Sequence, residues 1–139
     1  MGEAPRPYPR PDRDSAPFWE AQKRHELLFR RCNDCGAFRY PMTLLCLNCR
    51  SFEFEWAASS GRGVVYSYTV VHHQTHPAFS VPYTILLVEM EEGPRVVAQL
   101  RAPEGTVVSV GMPGSRFTQK FRVAGLLQRP LSLTRSVRS

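Results

Sequence analysis

The composition of this chain allows one modest hydrophobic core and argues against a membrane protein. Its 139 residues are 42% hydrophobic, and no apolar run approaches the roughly 18 residues that a transmembrane helix needs. The formal charge of +6 permits nucleic-acid binding, but no acidic residue follows Glu104 while six basic residues do, so only the end of the chain is basic. Without a signal-peptide pattern at the N-terminus, we expect a cytoplasmic protein.

The N-terminal part predicts a flexible leader followed by one helix. Residues 1–14 contain four prolines among charged and small residues, a composition typical of an extended or disordered segment. Ser15 is expected to cap a helix from Ala16 to Glu26, with Pro17 in its first turn, where the missing N–H costs little. Phe18 next to a tryptophan indicates that one side of this helix docks on the protein's own core, or less favourably on a partner.

All four cysteines belong to one short stretch. Cys32 and Cys35 form one Cys-x-x-Cys pair, Cys46 and Cys49 form a second, and ten residues separate the pairs. This spacing is typical of a tetrahedral metal site, and Gly36 suits the turn because glycine adopts positive φ without penalty. Zinc is the usual occupant of four thiolates, with iron as the alternative metal and two disulfides as the alternative to metal. Four protein ligands leave no open position, so the site is expected to be structural.

The segments around the cysteines predict short strands, so that residues 15–57 form a helix and a rubredoxin-like zinc ribbon. Between the pairs, Phe38 and Tyr40 alternate with Arg39 as in a hairpin arm. After the second pair, three aromatic residues alternate with glutamates: Phe52, Phe54 and Trp56. This aromatic face is expected to cover the core beside the metal, with a stacking platform as the second interpretation.

The remainder predicts a second unit, residues 58–123, built from strands. Ser59 to Gly61 form a turn signal, and five short strands follow: Val64–Val71, Tyr83–Met90, Val96–Leu100, Thr106–Val110 and Arg116–Val123. Such strands without helices between them predict a small five-stranded OB-fold barrel, and hence a mainly β protein. Pro113, Gly114 and Ser115 are expected to break the strand pattern, and residues 124–139 to form a basic, disordered tail.

The order of motifs resembles a known family. The residues that carry the resemblance lie between the helix and the end of the fourth predicted strand: Trp19, Cys32, Cys35, Gly36, Pro41, Cys46, Cys49, Trp56, Gly61, Gly63, Pro82, Tyr83, Gly111 and Met112. A ribbon followed at once by SGRG and a Tyr-Thr-Val-Val strand is similar to the acyl-CoA-associated zinc-ribbon and OB-fold family. After VGM the chain departs from the family pattern.

The resemblance implies a non-catalytic accessory subunit rather than an enzyme. Members of this family look like partners of thiolase-superfamily enzymes, including thiolases, acyltransferases, hydroxymethylglutaryl-CoA synthase-like enzymes and thiolase-like aldolases of lipid metabolism. The accessory chain is expected to help hold the acyl-CoA substrate at a shared site. The residues themselves support the non-catalytic part of this expectation, because the sequence shows no nucleophile arrangement, no phosphate-cradling glycine loop and no carboxylate pair at a spacing suited to acid–base catalysis.

Six residues are candidates for contact with CoA. Basic side chains would bind the phosphates of CoA, and the candidates are Arg39, Arg62 and Arg95. An aromatic side chain would stack on the adenine, and the candidates are Tyr66, Tyr68 and Phe79. Each of them has a plainer interpretation as a solvated arginine or a core aromatic. Three histidines occupy the longest loop, residues 72–82, and are interpreted as surface or interface groups in preference to a second metal site.

Two further functions remain open at this stage. A zinc ribbon with an OB-fold also suits a module that binds single-stranded nucleic acid, which the neutral body of the chain disfavours. The second possible function is that of a small enzyme that acts alone on acyl thioesters, which the lack of a recognisable set of catalytic residues disfavours.

Overall fold

The computed structural model describes residues 4, 5, 7, 9–100, 105–115 and 121–123. In these residues the chain forms one short helix and eight strands, in this order: α1 (Ala16–Lys23), β1 (Leu28–Cys32), β2 (Phe38–Arg39), β3 (Phe54–Ala58), β4 (Arg62–Val71), β5 (Tyr83–Met90), β6 (Arg95–Leu100), β7 (Pro113–Ser115) and β8 (Phe121–Val123). The prediction of a mainly β protein with one N-terminal helix is confirmed. The leader 1–14 lies partly, and the tail 124–139 wholly, outside the described residues.

The helix begins at Ala16, as predicted, but is shorter than predicted. It ends at Lys23 rather than Glu26, because His25 adopts a left-handed backbone with φ of 61° that a helix cannot continue through. Pro17 lies in the first turn as expected. Ser15 is the N-cap residue, as predicted, but its side chain makes no capping bond, because its hydroxyl donates to the Asp12 carboxylate at 2.6 Å instead of accepting a helix N–H.

The ribbon is a three-stranded antiparallel sheet in the order β2-β1-β3. Cys32, at the end of β1, lies opposite Phe54, and Arg30 lies opposite Trp56. Because directly opposed residues project to the same side of a sheet, these four side chains share one face. Phe52 precedes β3 and is exposed, so the predicted face of three aromatics is reduced to two.

The second sheet has five antiparallel strands in the order β7-β4-β5-β6-β8. β4 is ten residues long and pairs with β5 along most of its length, whereas β7 covers only Arg62 to Val64. The described residues show no pairing between β7 and β8. This arrangement matches the predicted five-stranded OB-fold, a partly open barrel.

The C-terminal strands differ from the prediction in position. No strand forms at Thr106–Val110, which is irregular, and Val107 and Val110 are exposed there. The strand lies instead at Pro113–Ser115, where we had expected a break. Proline is tolerated because β7 is an edge strand and the missing N–H interrupts no ladder. Of the predicted strand Arg116–Val123, β8 is present and residues 116–120 lie outside the described part.

The junction between the two sheets is held by hydrogen bonds to the turn after β5. The Ser59 hydroxyl donates to the Glu92 carboxylate at 2.9 Å, and the Ser60 N–H donates to the same carboxylate at 2.5 Å. Gly63 follows, where β4 passes so close to β5 that an added Cβ would lie 2.5 Å from the Glu89 carbonyl oxygen. Only glycine fits this approach without displacing the backbone.

One hydrophobic core joins the helix, the ribbon and the five-stranded sheet. Its buried members come from all three parts: Phe18, Leu27, Phe29, Val65, Leu86, Val88, Met90, Val96 and Ala98. Trp19 and Trp56 pack against this core and are partly buried. The ribbon therefore depends for its burial on the sheet that follows it, and the boundary placed at residue 57 remains a prediction.

Candidate metal centre and ligand-facing surface

The two cysteine pairs lie in turns of the same construction. The Gly36 N–H donates to the Cys32 carbonyl at 3.0 Å, and the Arg50 N–H donates to the Cys46 carbonyl at 2.8 Å. Both donors adopt left-handed backbones, with φ of 75° at Gly36 and 63° at Arg50. The expectation of positive φ at Gly36 is confirmed. The matching role of Arg50 was missed, because only its position after a Cys-x-x-Cys pair, and not its residue type, signals it.

The sulfur atoms form a cluster that fits one metal ion. All four lie within 4.8 Å of one another, and the Sγ–Sγ distance is 3.5 Å both for Cys32 with Cys49 and for Cys35 with Cys46. Zinc–sulfur bonds of about 2.3 Å in a tetrahedron place sulfurs about 3.8 Å apart, so only small adjustments are needed. A disulfide needs about 2.05 Å, and the four cysteines are free. The cluster therefore favours a structural tetrathiolate zinc over two disulfides.

The electrostatics of the sulfurs require a cation. The Cys35 backbone N–H stabilises the Cys32 thiolate and lowers the pKa of Cys32 to about 6. At Cys49 the Ser51 backbone N–H acts in the same direction, but desolvation and the neighbouring cysteine sulfurs outweigh it and raise the pKa of Cys49 to about 12. The Cys32 thiolate thus forms readily, whereas the Cys49 thiolate does not. Four thiolates can coexist here only around a bound cation, which supplies the compensating charge.

Arg39, a candidate for CoA phosphate, lies in the interior of the ribbon. Its side chain is 4% exposed, and its guanidinium donates to the backbone carbonyls of Glu53, Thr43 and Leu44 at 3.1 to 3.4 Å. These contacts hold the ribbon together and leave no surface for a ligand. The structure therefore separates Arg39 from the other five candidates.

Three of the candidates share the outer face of the five-stranded sheet, opposite its core. The guanidinium carbon of Arg95 lies 3.7 Å above the centre of the Tyr66 ring, and Arg95 also pairs with Glu89 at 3.0 Å. Arg62, near the start of β4, pairs with Glu91 at 2.8 Å. The Ser60 hydroxyl and Arg62 together hold the pKa of the Glu91 carboxyl below its usual value. This face thus combines an exposed aromatic ring with two arginines.

A β-bulge in β4 separates the two tyrosines that strict alternation places together. The register shifts between Val65 and Ser67, so that Tyr68 lies opposite the fully buried Leu86. Tyr68 therefore belongs to the core-facing side of the sheet, whereas Tyr66 stacks on Arg95 on the other side. Both tyrosines remain about half exposed. Period-two alternation along Val64–Val71 predicts one shared face for the two tyrosines, and the bulge makes that prediction wrong.

The sixth candidate, Phe79, lies in the loop between β4 and β5. Its ring lies against those of His76 and Tyr83, with centroids 5.9 and 6.2 Å away. The His76 Nδ1 accepts the Ala78 N–H at 3.0 Å, which ties this histidine to the loop's own backbone. Among the described residues, the four cysteines are the only cluster of three or more metal-ligating side chains. The loop histidines are thus not placed as a second metal site.

A rubredoxin-like ribbon joined to an OB-type sheet defines the class of this protein, and the family comparisons agree with the geometry. The family model described as the ChsH2 rubredoxin-like zinc ribbon domain matches residues 19–55, and the model of the ChsH2 C-terminal OB-fold domain matches residues 56–113. A DUF35 domain-containing scaffold protein of Methanothermobacter thermautotrophicus is 30% identical over 74% of this chain and 79% of its own length. The chain belongs to the DUF35 family of zinc-ribbon and OB-fold proteins.

Other relatives carry names from acyl-CoA metabolism. A probable enoyl-CoA hydratase alpha subunit of Thermomonospora curvata is 41% identical over 80% of this chain and 35% of its own length. The benzoylsuccinyl-CoA thiolase subunit BbsA of Geobacter metallireducens is 37% identical over 55% of this chain and 51% of its own length. The chain spans about a third of the length of the first curated relatives that it matches.

A solved structure shows the same fold. The structure described as the Ltp2-ChsH2(DUF35) aldolase superposes with a TM-score of 0.69 and 41% identity, covering 76% of this chain and 83% of that one. In the described residues of the present chain, no helix is long and apolar enough to cross a bilayer.

Proposed function

We propose that this chain is a non-catalytic subunit that binds a thiolase-superfamily enzyme and helps to hold its acyl-CoA substrate. The observation that carries the proposal is the superposition on the DUF35 chain of an aldolase at 41% identity. The relative named as a thiolase subunit and the relative named as a scaffold protein support the same assignment. Another relative is named as a hydratase subunit, so the partner's reaction is left open.

The surface of the ribbon supports a protein partner. Leu44 and Leu47 lie in the segment that forms the second cysteine turn, and both are exposed, Leu47 to 82%. Phe52, just after the same turn, is exposed as well. Large apolar side chains grouped on an ordered surface are typical of protein contacts. We therefore place the contact with the enzyme at this apolar tip, defined as Leu44, Leu47 and Phe52.

The outer face of the sheet supports a role in holding CoA. Arg62 and Arg95 supply positive charge for phosphates, and the Tyr66 ring supplies an exposed aromatic surface for the adenine. Both arginines are already paired with glutamates at the surface, and such exposed pairs cost little to exchange for a phosphate partner. Tyr68 and Phe79 remain candidates on other surfaces.

The first experiment tests the partner. The tagged chain is isolated gently from its native host, and the proteins that accompany it are identified by mass spectrometry. A thiolase-like enzyme in near-stoichiometric amount supports the proposal, and its recovery should fall for a Leu44→Ser, Leu47→Ser double variant. Val107→Ser, which alters an equally exposed valine on the sheet domain, is the control. Recovery of the chain with single-stranded nucleic acid that salt removes would instead support the alternative function.

The second experiment tests the acyl-CoA contact. Binding of acyl-CoA to the purified complex is measured by calorimetry for the native chain and for Arg95→Ala. Loss of one charged hydrogen-bond donor should weaken binding about tenfold or more. Lys23→Ala, which removes an exposed charge on α1, should have no effect. If Arg62→Ala and Arg95→Ala both leave the affinity unchanged, the outer face does not hold CoA.

A further inference from the structure

Two buried arginine side chains occupy the interior of the ribbon, on the sheet face that also carries Cys32. Arg30 is 3% exposed and Arg39 is 4% exposed, although charged residues are almost never buried without a partner of opposite charge. In the described part of the chain, the one carboxylate within 4 Å of either guanidinium is that of Asp14, at 3.9 Å from Arg30, and Asp14 is exposed. The Nε atoms of both arginines are buried and lack a hydrogen-bond partner among the described residues. This burial needs an explanation.

The two guanidiniums share one backbone carbonyl, and Arg30 also reaches the chain before α1. The Nη1 of Arg30 donates to the Thr43 carbonyl at 3.3 Å, and the Nη1 of Arg39 donates to the same carbonyl at 3.4 Å. The Nη2 of Arg30 donates to the Asp14 carbonyl at 2.9 Å. Arg39 also reaches the carbonyls of Leu44 and Glu53, at 3.3 and 3.1 Å. Both stack on the ring of Phe54, at 4.2 Å for Arg30 and 5.5 Å for Arg39. We call Arg30 and Arg39 the arginine pair.

The arginine pair lies on the same sheet face as a metal-ligating sulfur. Arg30 is opposite Arg39 in the ladder between β1 and β2, and Cys32 follows Arg30 by two residues, so all three project to one side. Thr43 and Leu44 come just before Cys46, the first ligand of the second pair. Fixing their carbonyls fixes where the chain enters the second cysteine turn.

The charge of the pair complements that of the metal centre. A divalent ion held by four thiolates carries two net negative charges, and the arginine pair supplies two positive charges on the same side of the sheet. With the metal bound, attraction between these charges would add to the carbonyl and ring contacts that hold the two guanidiniums inside the ribbon. We propose that Arg30 and Arg39 are positioning residues of the zinc site, which hold the Thr43–Leu44 segment so that Cys46 and Cys49 meet Cys32 and Cys35.

The proposal is tested by zinc affinity in the full chain. Arg39→Gln and Arg30→Gln are compared with the native chain by competition against a chromophoric zinc chelator. Each should weaken zinc binding about 10 to 100 fold, the usual effect of losing a residue that orients a metal ligand. The double variant should lose less than the sum of the two losses, because both side chains act on the Thr43 carbonyl. Arg95→Gln is the control, since it makes the same replacement at an exposed arginine of the five-stranded sheet.

A second comparison separates positioning from general destabilisation. Val96→Ala weakens the core in the five-stranded sheet, away from the metal, and lowers zinc affinity only through global unfolding. The two variants are compared with respect to the fall in melting temperature of the zinc-bound protein. For the same fall, Arg39→Gln should reduce zinc affinity more than Val96→Ala. Equal reductions, or a change of less than about twofold for Arg39→Gln, would overturn the proposal.

A conservative variant keeps the test usable if Arg39→Gln does not fold. Arg39→Lys keeps the buried charge but replaces the two nitrogens that serve the Thr43 and Glu53 carbonyls separately by one compact ammonium. It should therefore still bind zinc more weakly than the native chain. The cobalt-substituted protein should show an altered visible spectrum, which reports ligand geometry directly. A native spectrum together with native affinity for Arg39→Lys would refute the positioning role.

Discussion

Phe29→Ala tests whether the ribbon and the five-stranded sheet form one cooperative unit. Phe29 is 1% exposed and lies in the shared core together with Leu86 of the sheet. Its ring makes edge contacts with Phe38 and Tyr40, at centroid distances of 6.4 and 5.8 Å. Truncation to alanine therefore removes contacts within the ribbon and contacts between the ribbon and the sheet at the same time.

The expected cost is a large part of the total stability. A buried Phe→Ala substitution costs about 3–5 kcal/mol, against about 5–15 kcal/mol for the unfolding of a typical domain. At about 4 °C for each kcal/mol in a chain of this size, the melting temperature should fall by about 12–20 °C. Because the core is shared, β-sheet signal and zinc release should shift together.

The assay is thermal unfolding at fixed zinc concentration, followed by far-ultraviolet circular dichroism and by a zinc indicator in parallel. Val107→Ala, at an exposed position, should leave both signals within about 1 °C of the native values. A Phe29→Ala variant that releases zinc early while the sheet melts at its native temperature would refute the shared core. The ribbon would then be an independent unit.

Three further predictions concern the metal and the sheet junction. Cys46→Ser removes one of four thiolates and should abolish tight zinc binding and unfold the ribbon, as measured by zinc content and circular dichroism. Acid should weaken zinc binding, because protons compete with the metal for the four sulfurs. In the metal-free folded chain a backbone N–H lowers the pKa of Cys32 from its ordinary 9.0 to about 6, so competition at this sulfur becomes strong only as the pH falls through about 6. Gly63→Ala should destabilise the protein by about 1–3 kcal/mol in urea unfolding, because its Cβ meets the Glu89 carbonyl oxygen at 2.5 Å.

Each of the two substitutions has a control in the same segment. Leu47→Ser introduces the same side chain beside Cys46 without removing a ligand, and should retain zinc. Ser67→Ala lies on β4 at an exposed position and should change stability by less than about 0.5 kcal/mol. Zinc retention by Cys46→Ser, retention at low pH, or native stability of Gly63→Ala would each contradict the corresponding argument.

The sequence predicted those features that rest on spacing and periodicity. Two Cys-x-x-Cys pairs indicated the metal cluster, and Gly36 indicated a left-handed turn, because both follow from local geometry. The run Tyr83–Met90 predicted a strand, and β5 covers the same residues in the middle of the sheet. Its nearly continuous apolar character indicates burial, and its length of eight residues favours a strand over a buried helix.

What the sequence could not predict depends on residues far apart in the chain. Arg39 resembled a surface arginine, because nothing local shows that Phe54 and the Thr43 carbonyl will enclose it. The bulge at Tyr66 is set by pairing with β5. Strict alternation therefore wrongly placed Tyr66 on the same face of the sheet as Tyr68. Thr106–Val110 has the composition of a strand, but of its three valines only Val108 packs against the core, and no described strand pairs with the segment, whereas the edge of β4 pairs with Pro113–Ser115.

The core that Phe29 shares with Leu86 limits how this protein can change over generations. A ribbon with a hydrophobic core of its own could be exchanged for another ribbon, or lost, without destabilising the sheet. Here a larger or smaller side chain at position 29 demands a compensating change at Leu86, Val88 or Val65. The two parts are therefore expected to be inherited as a pair, and chimaeras that join the ribbon of one relative to the sheet of another should fold only when these positions are transferred together.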